Sequence, residues 1–168
     1  GRWPILLPSH RAYRREWTTP PYWEPERIAA MAEIIGPGDV VYDCGAEEGD
    51  MPALWASWGA DVVAIEPNPK VWPNIKAIFE ANELTGRMRG WWVGFAGDDA
   101  TERSSLSWWQ EHVATEPSGF WPACASGAVI GDHGFLVLPE RPDCPSTTID
   151  RLAAVNGDPT VITIDVEG

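Results

Sequence analysis

The sequence predicts an α/β fold, a mostly parallel sheet with flanking helices, and three observations predict it. Two β-branched, largely apolar runs, Val40 to Asp43 and Asp61 to Glu66, are separated by a helical segment that ends at Trp58. That is the sequence form of a βαβ unit, whose strands pair in parallel because the helix carries the chain back across the sheet. A glycine-bearing turn, Cys44 to Gly49, joins the first run to the helix. A second apolar stripe at helical spacing, Val71, Ile75, Ile78 and Phe79, follows the second run and supplies a further covering layer. With 168 residues and 44% hydrophobic content, the chain can bury one core.

Residues 1–24 carry Pro4, Pro8, Pro20 and Pro21 among Trp3, Trp17, Tyr22 and Trp23, which predicts an extended arm lying across a body formed by residues 25–168. Its charge is one-sided: Arg2, Arg11, Arg14 and Arg15 all precede the first acid, Glu16, as in a solvated or partner-bound arm, with an arm that recruits an acidic partner as the alternative. From Pro25, the residues Ile28, Met31, Ala32 and Ile35 predict a helix packed on the sheet, started by the proline and stopped by Gly36-Pro37. The stripe that begins at Val71 runs to about Leu84, where Thr85-Gly86 ends it. Trp92 to Ala96 reads as a third strand, ending at Gly97-Asp98-Asp99. Ser105 to Ala114 suits a helix, and Ala128 to Ile130 with Phe135 to Leu138 suits a hairpin around Gly131-Asp132-His133-Gly134. Thr148 to Val155 reads as a short helix, and Val161 to Asp165 as a last strand beside the first.

Ligands of parallel sheets bind at the carboxyl ends of the strands, and here both ends carry acids, Asp43 and Glu66. Asp43-x-Gly45-x-x-x-Gly49 sets glycines where a ligand can approach backbone amides at a helix N-terminus. A dinucleotide site would instead show Gly-x-Gly-x-x-Gly turned to a pyrophosphate. This turn adds Glu47, Glu48 and Asp50. Two like charges about 4 Å apart repel by roughly 4 kcal/mol at an effective dielectric of about 20, so such carboxylates make a poor phosphate cradle. They suit a ligand such as S-adenosylmethionine, which carries an ammonium and a sulfonium and no phosphate. Asp43 is placed to accept from the ammonium, directly or through water. Glu66 is placed to take both ribose hydroxyls, since a carboxylate offers two acceptor oxygens to a vicinal diol. The adenine amino group falls to Asp98 or to its neighbour Asp99, with Asp98 preferred.

Residues 26–168 resemble the FkbM family of S-adenosylmethionine-dependent methyltransferases in segments that come in the family's order. Asp43-Cys44-Gly45-Ala46 with Gly49 is similar to that family's Asp-x-Gly-Ala-x-x-Gly turn, and Glu66-Pro67-Asn68-Pro69 to its Glu-Pro-Asn-Pro segment. Phe95-Ala96-Gly97-Asp98 is similar to the strand that borders adenine. Thr148-Ile149-Asp150-Arg151-Leu152 and then Ile164-Asp165-Val166-Glu167-Gly168 resemble its paired late motifs. The resemblance implies a Rossmann-like methyltransferase fold and S-adenosylmethionine as cofactor, with Ala46 and Asn68 joining Asp43, Gly45, Gly49, Glu66 and Asp98 around it. It also implies methyl transfer to a hydroxyl of a small molecule or sugar. Such transfer needs an oxygen aligned with the methyl group and a route for its proton. Asp165 is the candidate base, and Glu167 the candidate to orient substrate or bind a metal; shaping the loop or positioning cofactor is the alternative role for both.

Two departures from the family stand out. Glu47-Glu48-Gly49-Asp50 stands where an amide and an apolar residue more often precede the glycine. A whole domain of this type continues past the last motif with about three more strands, so C-terminal strands are expected to be missing from this chain. The sheet edge so exposed would suit a second copy or a partner chain.

Composition narrows the remaining choices. A formal charge of −13 repels a phosphate backbone, which disfavours nucleic acid as a partner. Thr19-Pro20-Pro21-Tyr22 looks like the Asp/Asn-Pro-Pro-Tyr loop of amino-methylating nucleic-acid enzymes, but Thr19 lacks the carboxylate or amide that would hold an exocyclic amine. Cys44, Cys124 and Cys144 form neither a disulfide framework nor a CxxC pair, as expected of reduced thiols in a cytoplasmic protein. No apolar run approaches the roughly 18 residues of a membrane span, so no membrane association is expected. His112 and His133 lack metal-ligand spacing and read as surface residues. Of the eleven tryptophans, Trp91-Trp92 and Trp108-Trp109 fall beside the expected pocket, where they pack the core or cover the sheet edge in preference to binding a sugar or planar acceptor. The rival reading is a non-catalytic remnant serving as a binding or interaction module, and an NAD-dependent oxidoreductase is opposed by the acidic turn.

Overall fold

A computed structural model of the chain describes residues 5–7, 24–97, 106–117, 119–129 and 144–166. The Thr19–Tyr22 segment, most of the expected hairpin, and Asp98, Asp99, His133 and Glu167 lie outside the described residues.

Helix α1 (Pro25–Ile34) starts with proline in its first turn, where a missing N–H costs little, and stops ahead of Gly36-Pro37. Ile28 and Met31 lean on the core, yet no residue of α1 is buried. It meets the core through these two residues and through Ile35 just after the helix, which is buried beside Val41 and Val62. Strand β1 (Val40–Cys44), helix α2 (Asp50–Ser57) and strand β2 (Asp61–Ile65) form the βαβ unit. The strands are parallel, with Asp43 opposite Ala64 and Cys44 opposite Ile65. Every residue of α2 from Asp50 to Ala56 is buried, so the helix is enclosed on all sides. Helix α3 (Trp72–Ala81) buries Ile75, Ile78 and Phe79 of the predicted stripe, and Trp72 with them.

The third strand of the sheet lies earlier than the sequence suggests. Strand β3 (Met88–Trp92) pairs with β2, whereas Phe95–Gly97 forms a separate strand β4. β4 pairs in parallel with β5 (Ser146–Thr148) in a two-stranded sheet of its own. Arg89 and Gly90 break the β-branched pattern in β3, which hides it from a periodicity reading. A Cβ at Gly90 would press on the Asn156 carboxamide, which would have to shift.

Helix α4 (Leu106–His112) falls within its predicted span, and helix α5 (Ile149–Asn156) starts and ends one residue later than predicted. Thr148 caps α5, its hydroxyl accepting from the Arg151 N–H at 3.2 Å. Strand β6 (Val161–Ile164) pairs in parallel with β1, so the main sheet runs β3-β2-β1-β6. This is the half-sheet of a Rossmann-like fold, and strand order reverses between β1 and β6. One sheet face packs Val41, Val62 and Ala64 under α2 and α3, and the other packs Tyr42, Cys44, Val63 and Ile65 against Leu152 of α5. Among the described residues β6 is an edge strand, with Ile164 68% exposed. No helix among the described residues is long and apolar enough to cross a membrane.

Candidate functional site at the strand switch point

The reversal of strand order leaves a crevice at the carboxyl ends of β1 and β6. Arg27, Asp43, Gly45, Ala46, Glu47, Asp50, Met51 and Asp165 line a cleft of about 20 Å³ there, room for about one water molecule.

Asp43 is the buried centre of this cleft, 3% exposed at the penultimate position of β1. The Thr163 hydroxyl donates to its Oδ1, while Oδ2 has no hydrogen-bond partner among the described residues. Burial pushes the carboxyl up to about 6, and the Thr163 hydroxyl, the Trp55 indole and the Arg27 charge offset part of that rise. The Trp55 N–H nevertheless makes no hydrogen bond of its own. A buried carboxylate oxygen without a donor costs free energy that a cationic ligand would recover.

The turn after β1 is tied down internally, which changes how its glycines are understood. The N–H groups of Gly45 and Ala46 both donate to the Ile65 carbonyl, at 2.9 and 3.1 Å, and that of Gly49 donates to Ala46. The Glu47 N–H donates to Glu66 Oε2 at 2.9 Å. The open amides expected of this turn are thus engaged within the protein. Its glycines answer to sterics: Gly45, at φ 88°, lies against the Asp165 carbonyl, and a Cβ on Gly49, at φ 90°, would come within 2.8 Å of the Ile75 Cα. The acids of the turn also divide: Glu47 and Asp50 line the cleft, while Glu48 is buried elsewhere.

Glu66 follows β2 and is 8% exposed. Its Oε1 accepts from the Asn68 N–H at 2.7 Å and its Oε2 from Glu47, so one carboxylate joins two loops. Burial raises its pKa to about 7 against the opposing pull of those two amides. Each oxygen keeps a lone pair for a further donor. Asn68 supports the arrangement, its own Oδ1 accepting from the Lys70 N–H at 3.0 Å.

Asp165 follows β6, with its side chain 56% exposed, and Oδ2 accepts from Arg27 Nη1 at 2.7 Å. The same nitrogen reaches Glu24 Oε2 at 2.8 Å. Arg27 is the residue that sequence reasoning missed. It stands alone as the one Lys or Arg between Glu16 and Pro69, a signal that could have drawn notice in so acidic a stretch. The structure brings Asp43, Gly45, Ala46 and Asp165 into one cleft, links Glu66 and Asn68 to it through Glu47, and sets Gly49 behind it against α3.

One further expectation is adjusted. His112 is half-buried, its ring stacked on Trp108 at 4.5 Å and its Nδ1 3.0 Å from the Trp108 carbonyl, not a free surface histidine. Among the described residues no group of His, Cys, Asp and Glu is arranged to hold a metal ion.

No family model matches the chain. No curated protein matches it either. Among solved structures it is similar to a presumed transferase from Pyrococcus horikoshii, at 22% identity over 53% of this chain and 29% of that one, with a TM-score of 0.35. It is also similar to a methyltransferase from Thiobacillus denitrificans that depends on S-adenosylmethionine and was crystallised with S-adenosyl-L-homocysteine. There the identity is 18% over 61% of this chain and 46% of that one, with a TM-score of 0.37. The chain spans less than half the length of either protein. Likenesses so distant leave the strand order and the site's own residues to carry the assignment.

Proposed function

We propose that this chain is the cofactor-binding part of an S-adenosylmethionine-dependent methyltransferase, of FkbM type by its motifs, acting on a hydroxyl of a small molecule or sugar. The observation that carries the reading is the unpartnered, buried Oδ2 of Asp43 at the switch point of a parallel sheet, one strand away from the Glu66 carboxylate. Asp43 would hold an ammonium and Glu66 a ribose diol, each with acceptor capacity that the protein leaves unused. The cofactor supplies an electrophilic methyl group when bound. Asp165, exposed at the end of β6, is the residue to accept the proton of an incoming hydroxyl, and it must first part from Arg27. Arg27, which keeps Glu24 as a partner, then has donors to meet the carboxylate of an amino-acid ligand, the complement to Asp43.

The test is calorimetric titration of the chain with S-adenosylhomocysteine, with NAD as control. Saturable binding of the first ligand alone is expected, and Glu66→Ala should weaken it about tenfold or more while melting is followed in parallel. Unchanged affinity in that variant would remove Glu66 from the site. Asp165→Asn should bind like wild type and lose turnover, and retained turnover would end its role as base.

The narrow cleft and the Arg27–Asp165 ion pair favour one alternative, a non-catalytic module that keeps the fold and binds cofactor weakly. A folded chain that fails to bind S-adenosylhomocysteine would decide for it.

A further inference from the structure

A second cavity, about 300 Å³ in volume, opens between the end of β3, α4, β5 and α5. Trp92, Leu106, Trp109, Pro145, Ser146, Thr147 and Arg151 line it. It is large enough for a small organic molecule, unlike the cleft at the switch point. Its position is tied to the candidate site, because the Trp92 carbonyl accepts from the Glu66 N–H at 3.0 Å.

The lining is selective in its chemistry. Trp109 is 43% exposed and Leu106 72% exposed, so apolar surface is held open to a ligand. The Trp92 N–H is spent on the Phe95 carbonyl at 3.2 Å, and Thr147 is buried, which leaves few groups to read the hydroxyls of a sugar. Gly94 keeps the wall in shape, since any side chain there would strike the Trp92 indole and the Pro145 carbonyl. Arg151 supplies the decisive feature: among the described residues its guanidinium makes no ion pair and no side-chain hydrogen bond. In a chain of net charge −13 an arginine with no acidic partner among the described residues is a scarce positive charge, and here it stands beside indole rings. A planar anion satisfies both, its carboxylate on the guanidinium fork and its ring on the tryptophans.

The geometry points to a binding site for an aromatic carboxylic acid in this cavity, with Arg151 holding the carboxylate and Trp92 and Trp109 the ring. That this ligand is also the methyl acceptor, an aromatic hydroxy acid, rests on the proposed function; that it binds does not.

The probe is 4-hydroxybenzoate, titrated calorimetrically into the chain, with phenol and methyl β-glucoside as controls and S-adenosylhomocysteine as competitor. Saturable binding of 4-hydroxybenzoate is expected, weakened about tenfold or more by Arg151→Gln and by loss of the carboxylate in phenol, and undisturbed by S-adenosylhomocysteine. Both Arg151 and Trp109 are exposed, so Arg151→Gln and Trp109→Ala should fold as wild type does. No saturable binding, equal affinity in Arg151→Gln, tighter binding of the glucoside, or displacement by S-adenosylhomocysteine would each overturn the site. Binding of S-adenosylhomocysteine without 4-hydroxybenzoate would sink this inference alone. The reverse pattern would sink the methyltransferase reading and leave this site standing.

Discussion

Burial, more than any neighbouring charge, sets the titration of Asp43 and Glu66. It lifts Asp43 to about 6 and Glu66 to about 7, so the free chain near neutral pH holds a proton on part of this pair. A ligand that brings an ammonium to Asp43 and hydroxyl donors to Glu66 favours their ionised forms. Its affinity should therefore rise from pH 5 to pH 8, by about tenfold per pH unit while one of these acids stays protonated in the free chain. Asp43→Asn should lose the part of that rise that ends near 6. Titrating S-adenosylhomocysteine across this range measures both, and a flat profile in the unaltered chain would break the link between these acids and the ligand. At this scale Asp43 and Glu66 were legible in the sequence, because an acid at the end of an apolar run declares its place. Arg27 was not: its partner Asp165 lies 138 residues away, and nothing local announces the pair.

Among the elements, the turn into α2 and the cap of α5 show what single residues do for a segment. Gly49 combines a left-handed backbone with contact to the α3 backbone, so Gly49→Ala adds both strain and a clash. It should cost about 2 kcal/mol or more, read as a drop in urea midpoint. Thr148→Ala removes one hydrogen bond at an exposed helix start and should cost about 1 kcal/mol, so the ranking of the two variants is itself a check. Most elements were legible because each carries its own period: α3, α5 and the βαβ unit show theirs within a few turns. β3 was not, since Met88, Arg89 and Gly90 carry no strand signal of their own and the segment becomes a strand by pairing with β2. Phe95–Gly97 reads locally as a strand and is one, but which sheet it joins depends on Ser146–Thr148, a pairing that no local pattern expresses.

For the molecule as a whole, the same buried acids tie stability to pH with a definite sign. Unfolded, Asp43 and Glu66 would release their protons near 3.8 and 4.5; folded, they keep them to about 6 and about 7. Between these limits the folded state binds more protons than the unfolded one, so stability is fullest below about 4 and declines as pH rises to about 7. The loss is on the order of 3 kcal/mol for each group at most. Net charge pushes the same way, because the formal −13 at pH 7 repels itself more as carboxylates ionise. The exposed ion pair of Arg87 with Asp61 is worth about 1 kcal/mol or less and cannot reverse the trend. Thermal midpoints of the free chain should therefore fall from pH 5 to pH 8, and Asp43→Asn should flatten the fall. A saturating ligand that brings an ammonium to Asp43 and hydroxyls to Glu66 acts in the opposite sense, since it stabilises the ionised acids. The gain in midpoint that S-adenosylhomocysteine confers should thus grow with pH while the midpoint without it declines. A gain that stays constant across the range would mean that the ligand, if it binds, does not meet Asp43 or Glu66.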